Sequence, residues 1–367
     1  MEKRNLRYAR HYSLKGFGLE AQQKLQNASV LVIGAGGLGC SSLQYLAAAG
    51  IGQIGIVDGD TVAISNLQRQ ILFETSDIGK RKATTAAKKL QNLNPEIIIA
   101  AFDQQINTGN AFALISDYDV VLDCTDNFAS RYLINDACVL LKKPIVFGAV
   151  FQFEGQVAVF NSSKNSANYR NLFPIPPDAT EVQDCNEVGV LGVLPGIIGT
   201  LQAVETIKLI AGLEGVLSNR LLTLNLLTYE TFIVELDAEI NAQTEVPINQ
   251  AAFQLMDYEW LCGNGKSGII NLGVAEFLQQ IGQRDTEIVD VRETGEMPKA
   301  TFKNQNIPFS EFKENLPEIE ASHIVLFCQS GKRSLRAAKM LQQKYRSTKE
   351  ISHLSGGMTA LNEYQNG

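Results

Sequence analysis

Histidines and paired cysteines are scarce in this chain of 367 residues. Its three histidines, His11, His323 and His353, lie far apart, and none is spaced with another for metal binding. Each reads as a surface or hydrogen-bonded structural residue. The six cysteines, Cys40, Cys124, Cys138, Cys185, Cys262 and Cys328, show no CxxC or other paired spacing. That excludes a disulfide framework and a thiolate metal cage, so each cysteine is judged alone. Positive charge is not in excess either: a net charge of -7 lacks the electrostatic footprint of a nucleic-acid binder. No run approaches the roughly 18 apolar residues of a membrane span. The start, Met1-Glu2-Lys3-Arg4, has no apolar signal core. These absences predict a cytoplasmic protein with neither nucleic acid nor membrane as partner.

What is there suits a packed core: hydrophobic residues make up 45% and charged residues 19%. The length exceeds one usual domain, so two are expected. From residue 30 to about residue 236, short apolar runs alternate with longer amphipathic ones. Residues 30–33, 54–57, 97–101, 120–122 and 144–147 read as buried strands, and 38–49, 80–93, 130–141 and 195–211 as helices. This alternation predicts an α/β, Rossmann-like, doubly wound and mostly parallel sheet. Runs 156–160, 221–226 and 232–236 have no helices between them and predict antiparallel additions at one end. A polar stretch over 161–187 reads as a functional or mobile loop. A second one leads to a boundary, with domains at 1–240 and 268–367 and a linker at 241–267. Strands at 287–290 and 324–327 mark the second domain as a smaller α/β unit.

Val30 to Ile33 runs into Gly34-Ala35-Gly36-Gly37-Leu38-Gly39 and then a helix. Glycines there let the backbone turn tightly and bring N–H groups and a helix N-terminus against phosphate. Asp58 ends the next strand, where a carboxylate can accept from ribose hydroxyls. This pair says only nucleotide, and an NAD-dependent oxidoreductase is the natural competitor. The balance shifts with Asn66-Leu67-Gln68-Arg69-Gln70 and Gly79-Lys80-Arg81-Lys82. Such a supply of cations suits a triphosphate, whose charge must be neutralised during nucleotidyl transfer. Asp123-Cys124-Thr125-Asp126-Asn127 then places carboxylates at the carboxyl end of a strand, where one can hold Mg²⁺.

Together these motifs resemble the MoeB/ThiF family of ubiquitin-activating-like adenylyltransferases, from about residue 6 to residue 236. The resemblance implies that Gly34, Gly36, Gly37 and Gly39 bind phosphate and Asp58 the ribose. It implies that Asn66, Arg69 and Lys82 surround the triphosphate of ATP and that Asp126 holds Mg²⁺. Arg10 would enter the partner subunit's ATP site, which implies a homodimer. The terminal carboxylate of a small ubiquitin-like sulfur-carrier protein ending in Gly-Gly would attack the α-phosphorus, with catalysis by positioning and charge neutralisation.

Relatives of this kind usually carry two CxxC pairs on a structural zinc. Here Asn168-Tyr169-Arg170-Asn171 stands at the first place, and residues 237–249 hold no cysteine. Amides are poor replacements for thiolates on Zn²⁺, so no structural zinc is expected. Cys185, in Asp184-Cys185-Asn186-Glu187, matches a cysteine that some relatives link covalently to the carrier. Its acidic neighbours do nothing to activate a thiol. A catalytic role and an unreactive loop cysteine both stay open. Cys40, Cys124 and Cys138 read as core, and Cys262 falls in the linker with no role assigned.

In the last hundred or so residues, Cys328-Gln329-Ser330-Gly331-Lys332-Arg333-Ser334 follows a strand and opens a helix. Backbone N–H groups, a helix N-terminus and two cations favour a thiolate there, which suits a persulfide. The segment resembles a rhodanese domain, with Leu354-Ser355-Gly356-Gly357-Met358 as its closing motif. Glu296-Met297-Pro298-Lys299-Ala300 replaces the usual Gly-His-Ile-Pro-Gly-Ala, which puts contacts there in doubt. The two resemblances imply one sequence of reactions. A carrier is adenylated, then receives sulfur from a Cys328 persulfide loaded by an upstream donor, with Cys185 a candidate resolving thiol. Molybdopterin synthesis, thiamine synthesis and tRNA thiolation all stay open, as does a docking scaffold with both sites inert.

Overall fold

Short β-branched and aliphatic runs form the strands of the first unit: β1 (Ser29–Ile33), β2 (Gln53–Val57), β3 (Ile98–Phe102), β4 (Val120–Asp123), β5 (Ile145–Phe151), β6 (Glu154–Phe160), β7 (Arg220–Asn225) and β8 (Thr231–Glu235). They make one sheet in the order β3-β2-β1-β4-β5-β6-β7-β8. β1 to β5 pair in parallel and β6, β7 and β8 antiparallel, so the expected additions stand at one end. In this computed structural model, residues 6–164, 166–174, 189–238, 246–258, 269–314, 316–345 and 348–366 are described. Contacts divide the chain into two units, Met1–Cys262 and Gly263–Gly367.

Alternation along β1 shows why both sheet faces need helices. Val30 and Val32 join the core on one side, with Leu38, Leu43, Ala83 and Ile198. Leu31 and Ile33 join the other, with Ile115, Tyr132 and Ile134. A strand buried on both faces reads as a continuous apolar run, which is how it was found. The boundaries shift where local chemistry intervenes. The helix expected from residue 80 begins at Lys82, because Gly79 is left-handed (φ 85°) and Arg81 is extended. The helix expected from 130 begins at Phe128, because the Asn127 side chain accepts from Ser130 N. Helices Gly18–Asn27 and Ala111–Ser116 were not anticipated.

One expectation is corrected. Helix Val193–Ala211 is long and apolar enough to cross a membrane by length and composition. It serves as a core helix instead: Leu194, Ile198 and Ala203 are buried, and Ser42 Oγ donates to Gly199 O at 2.9 Å. It also carries buried Gln202 and Glu205, whose polar atoms find partners within this unit.

The second unit has a parallel sheet of β9 (Ile269–Leu272), β10 (Thr286–Asp290), β11 (Gln305–Asn306), β12 (His323–Phe327) and β13 (Glu350–Leu354), in the order β11-β10-β12-β13-β9. Only β10 and β12 were legible beforehand. β9 has four residues, buried only at its two ends, and β11 is two residues long.

Candidate functional site

The sheet of the first unit changes direction of strand order between β1 and β4, and a cleft of about 520 Å³ opens at that switch point. After β1 the chain turns at Gly34, with φ 98°; a Cβ there would stand 2.7 Å from Cys124 O. A Cβ on Gly39 would stand 2.0 Å from Gly34 O. Any larger residue at either place would push the turn open. Gly36 is the N-cap of helix Gly37–Ala49, whose first N–H groups have no intrahelical partner and suit an anion. Asp58, just past β2, ties the turn to the sheet by accepting from Ala35 N at 2.8 Å and Asp60 N at 2.9 Å. Burial pushes its carboxyl up, against the opposing pull of Lys82.

Cations and amides form the adjoining wall. Lys82 is only 5% exposed and donates to Asp60 Oδ2 at 3.0 Å. Asp60 also accepts from Gln105 Nε2, so the lysine is held in place by a residue that sequence reasoning passed over. Arg69 donates to Ser65 O at 3.0 Å, and Asn66 caps its own turn by accepting from Ala63 N.

At the far wall, Asp123 is buried and accepts from both N and Oγ1 of Thr125. Burial raises its carboxyl, and Arg131 opposes that. Asp126 is exposed at the loop crest. Of the expected residues, Gly34, Gly36, Gly37, Asp58, Asn66, Arg69, Lys82 and Asp126 line this one cleft. Gly39 sits behind the turn, and Arg10, exposed on helix Ala9–Tyr12, is not among the lining residues. Asp60 and Arg131 were missed. Arg131 lies four residues past Asn127, a helical spacing that could have pointed to it.

The cleft fits ATP by its own chemistry: a glycine turn open to phosphate, a ribose-side acid and two cations. Gln70 Oε1 and Arg131 Nε are buried there without partners, so the cleft carries polar groups that a ligand could satisfy. Among the described residues no group of three or more His, Cys, Asp or Glu converges on a metal. Mg²⁺ needs no such cage, because it keeps waters and phosphate oxygens beside one or two carboxylates. Asp126 fits that role.

At the place of the first missing cysteine pair, Asn168 caps helix Tyr169–Leu172 by accepting from Arg170 N, and Asn171 accepts from Asn168 N. Cys185, Cys262 and much of 237–249 lie outside the described residues. Cys40, Cys124 and Cys138 are buried in the core. Burial pushes the Cys40 thiol up to about 12.

In the second unit, Cys328 follows β12 and is fully buried. Its loop is clamped by the turn after β13: Met358 N donates to Cys328 O at 2.9 Å and Thr359 N to Gln329 O at 3.0 Å. Arg333 acts electrostatically on Cys328, as the sequence suggested, but its charge is shared with a carboxylate. It donates to Glu296 Oε2 at 2.7 Å, and this ion pair holds the Glu296 carboxyl down to about 2. The segment 296–300 therefore contacts the thiol loop directly. The histidines are hydrogen-bonded: His11 to Gln22, and His353 to Asn271 and Ser334. His323 pairs with Glu350.

Comparison with known proteins agrees with both halves. The ThiF family matches residues 8–246 and the rhodanese-like domain residues 273–364. Adenylyltransferase and sulfurtransferase MOCS3 of Drosophila persimilis is 38% identical over 380 residues, covering 96% of this chain and 82% of its own length. A sulfur carrier protein adenylyltransferase of Thermus thermophilus is 44% identical over 263 residues, covering 70% of this chain and 96% of its own. The crystal structure of E. coli MccB superposes with a TM-score of 0.56 at 22% identity, covering 63% of this chain and 70% of that one, which shows the fold alone.

Proposed function

This chain belongs to the ThiF family and carries a rhodanese-like domain behind it, and from that premise we propose that it adenylates a small ubiquitin-like sulfur carrier and then sulfurates it. The observation that carries the first half is the cleft, where a glycine turn, Asp58, Arg69, Lys82 and Asp126 converge at one switch point. The activity is enzymatic and uses ATP. In this reading the N–H groups after Gly36 and the cations Arg69 and Lys82 hold the triphosphate, and Asp58 fixes the ribose. The carrier's terminal carboxylate attacks the α-phosphorus and the bond to pyrophosphate breaks, leaving an acyl-adenylate. Residues here bind, orient and neutralise, and none needs to become a nucleophile. Mg²⁺, held by Asp126, would supply further neutralisation of phosphate charge.

In the second half, the terminal sulfur of a Cys328 persulfide attacks the acyl carbon and AMP leaves. A second thiol then attacks Cys328 Sγ, releasing the thiocarboxylate and leaving a disulfide that an external thiol must reduce. Cys185 is our candidate for that second thiol, and an upstream persulfide donor would reload Cys328. Arg10, exposed on helix Ala9–Tyr12, is our candidate for a residue that serves the partner's site in a homodimer.

Carrier-dependent exchange of labelled pyrophosphate into ATP tests the reading. Exchange that needs a carrier ending in Gly-Gly is expected; tight NADH binding without exchange would favour an oxidoreductase instead.

A further inference from the structure

We infer that Arg131 receives the terminal carboxylate of the incoming carrier, an inference that rests on the adenylation reading above. Arg131 is 8% exposed and lines the cleft from the first turn of helix Phe128–Leu141. One Nη donates to Thr125 O at 3.1 Å, while Nε is buried without a hydrogen-bond partner. The guanidinium carbon lies 5.5 Å from the Phe128 ring centroid and 5.6 Å from that of Phe147. Among the described residues Arg131 forms no ion pair within 4.0 Å. Asp123 acts on it only at longer range, and Asp123 Oδ1 is already occupied by two bonds from Thr125. A buried cation with an orphaned donor in a ligand cleft is an anion site.

Its place selects the anion. Asp58 marks the ribose side at β2, and the glycine turn follows β1. Arg131 and Val150 line the cleft on the opposite side, beside β4 and β5. The phosphates have the helix N-terminus, Arg69 and Lys82. The second substrate brings one planar, singly charged carboxylate, which matches a guanidinium fork set between aromatic rings. An amidated or esterified chain end leaves that cation unpaired, so Arg131 selects a free C-terminus.

Binding is measured between the full chain, saturated with a non-hydrolysable ATP analogue, and a recombinant ubiquitin-like sulfur carrier ending in Gly-Gly. The carrier is prepared with a terminal carboxylate and with a terminal carboxamide. The analogue's own affinity, read first, reports that the cleft is intact. Wild type should prefer the carboxylate by about tenfold to a hundredfold. Arg131→Gln should lose most of that preference. Because this variant leaves Asp123 without its countercharge, Asp123→Asn/Arg131→Gln, with buried charge balanced, is measured alongside and should lose it too. A full preference kept by either variant overturns the inference, as does equal binding of both carriers by wild type. A wild type that binds neither form and shows no pyrophosphate exchange overturns the adenylation reading itself.

Discussion

Arg170 and Asp136 meet in a doubly hydrogen-bonded ion pair shut off from water, with Nε–Oδ1 at 2.8 Å and Nη2–Oδ2 at 2.6 Å. Tyr258 donates a third bond to Asp136 Oδ2 at 2.7 Å, and the guanidinium lies 5.0 Å from the Tyr132 ring centroid. Arg170 stands in the sequence between Asn168 and Asn171, where a cysteine pair was expected. It fastens that loop to helix Phe128–Leu141. Removing one partner strands the other's charge in the core, so Asp136→Ala should cost about 3–5 kcal/mol. Denaturant unfolding against wild type checks this. A loss below about 1 kcal/mol would show that the loop is held by something else.

Because Asn168 and Asn171 stand at the expected ligand places, the purified protein is expected to hold no stoichiometric zinc. Metal analysis and thermal unfolding with and without EDTA read this together. One tightly held zinc per chain, with stability lost on its removal, would contradict the expectation.

Glu296 gives a pH dependence of definite sign. Its carboxyl is lowered from 4.5 to about 2, first by hydrogen bonds from Arg333. A carboxyl lowered by folding stabilises the fold above its unfolded value, and that contribution is lost as the pH falls toward the folded one. Wild type should therefore be more stable than Glu296→Gln near neutral pH. The gap should close between pH 4.5 and about 2. A gap that stays constant through this window would mean that the ion pair adds nothing.

The glycine turn and β1, β2, β4 and β5 were legible because a strand buried on both faces leaves an unbroken apolar run; residues 97–101 read the same way, yet β3 is a sheet edge with Ile98 and Ala101 exposed. The cleft's expected lining was legible because Gly34, Asp58 and Lys82 each sit at the end or start of such an element. Asp60 was not: it acts by holding Lys82, 22 residues away in the chain, and no local pattern announces that partnership. Glu296 was misjudged for the same reason, since its contact with Arg333 spans 37 residues. Arg170 was quoted only because its segment stands where a cysteine pair was expected, since its partner Asp136 lies on another helix. The burial of Cys328 under the turn at Gly356–Thr359 likewise depends on β13 lying beside β12.

If Arg10 serves the neighbouring subunit, mixing Arg10→Ala with Asp126→Ala chains should restore part of the exchange activity that each has lost. A mixed dimer then holds one site with both residues intact. No recovery after demonstrated subunit exchange would place Arg10 outside catalysis or in its own site.

Coupling of two chemistries in one chain is tested most directly by Cys328→Ser. A hydroxyl forms no persulfide, whereas the adenylation cleft lies in the other unit and is untouched. Mass spectrometry of the carrier, incubated with ATP and a persulfide donor, reads the replacement of one oxygen by sulfur. Wild type should yield thiocarboxylated carrier, and Cys328→Ser should release pyrophosphate normally while yielding almost none. Thiocarboxylate formed by Cys328→Ser at the wild-type rate would contradict the account, since sulfur would then reach the adenylate without passing through Cys328.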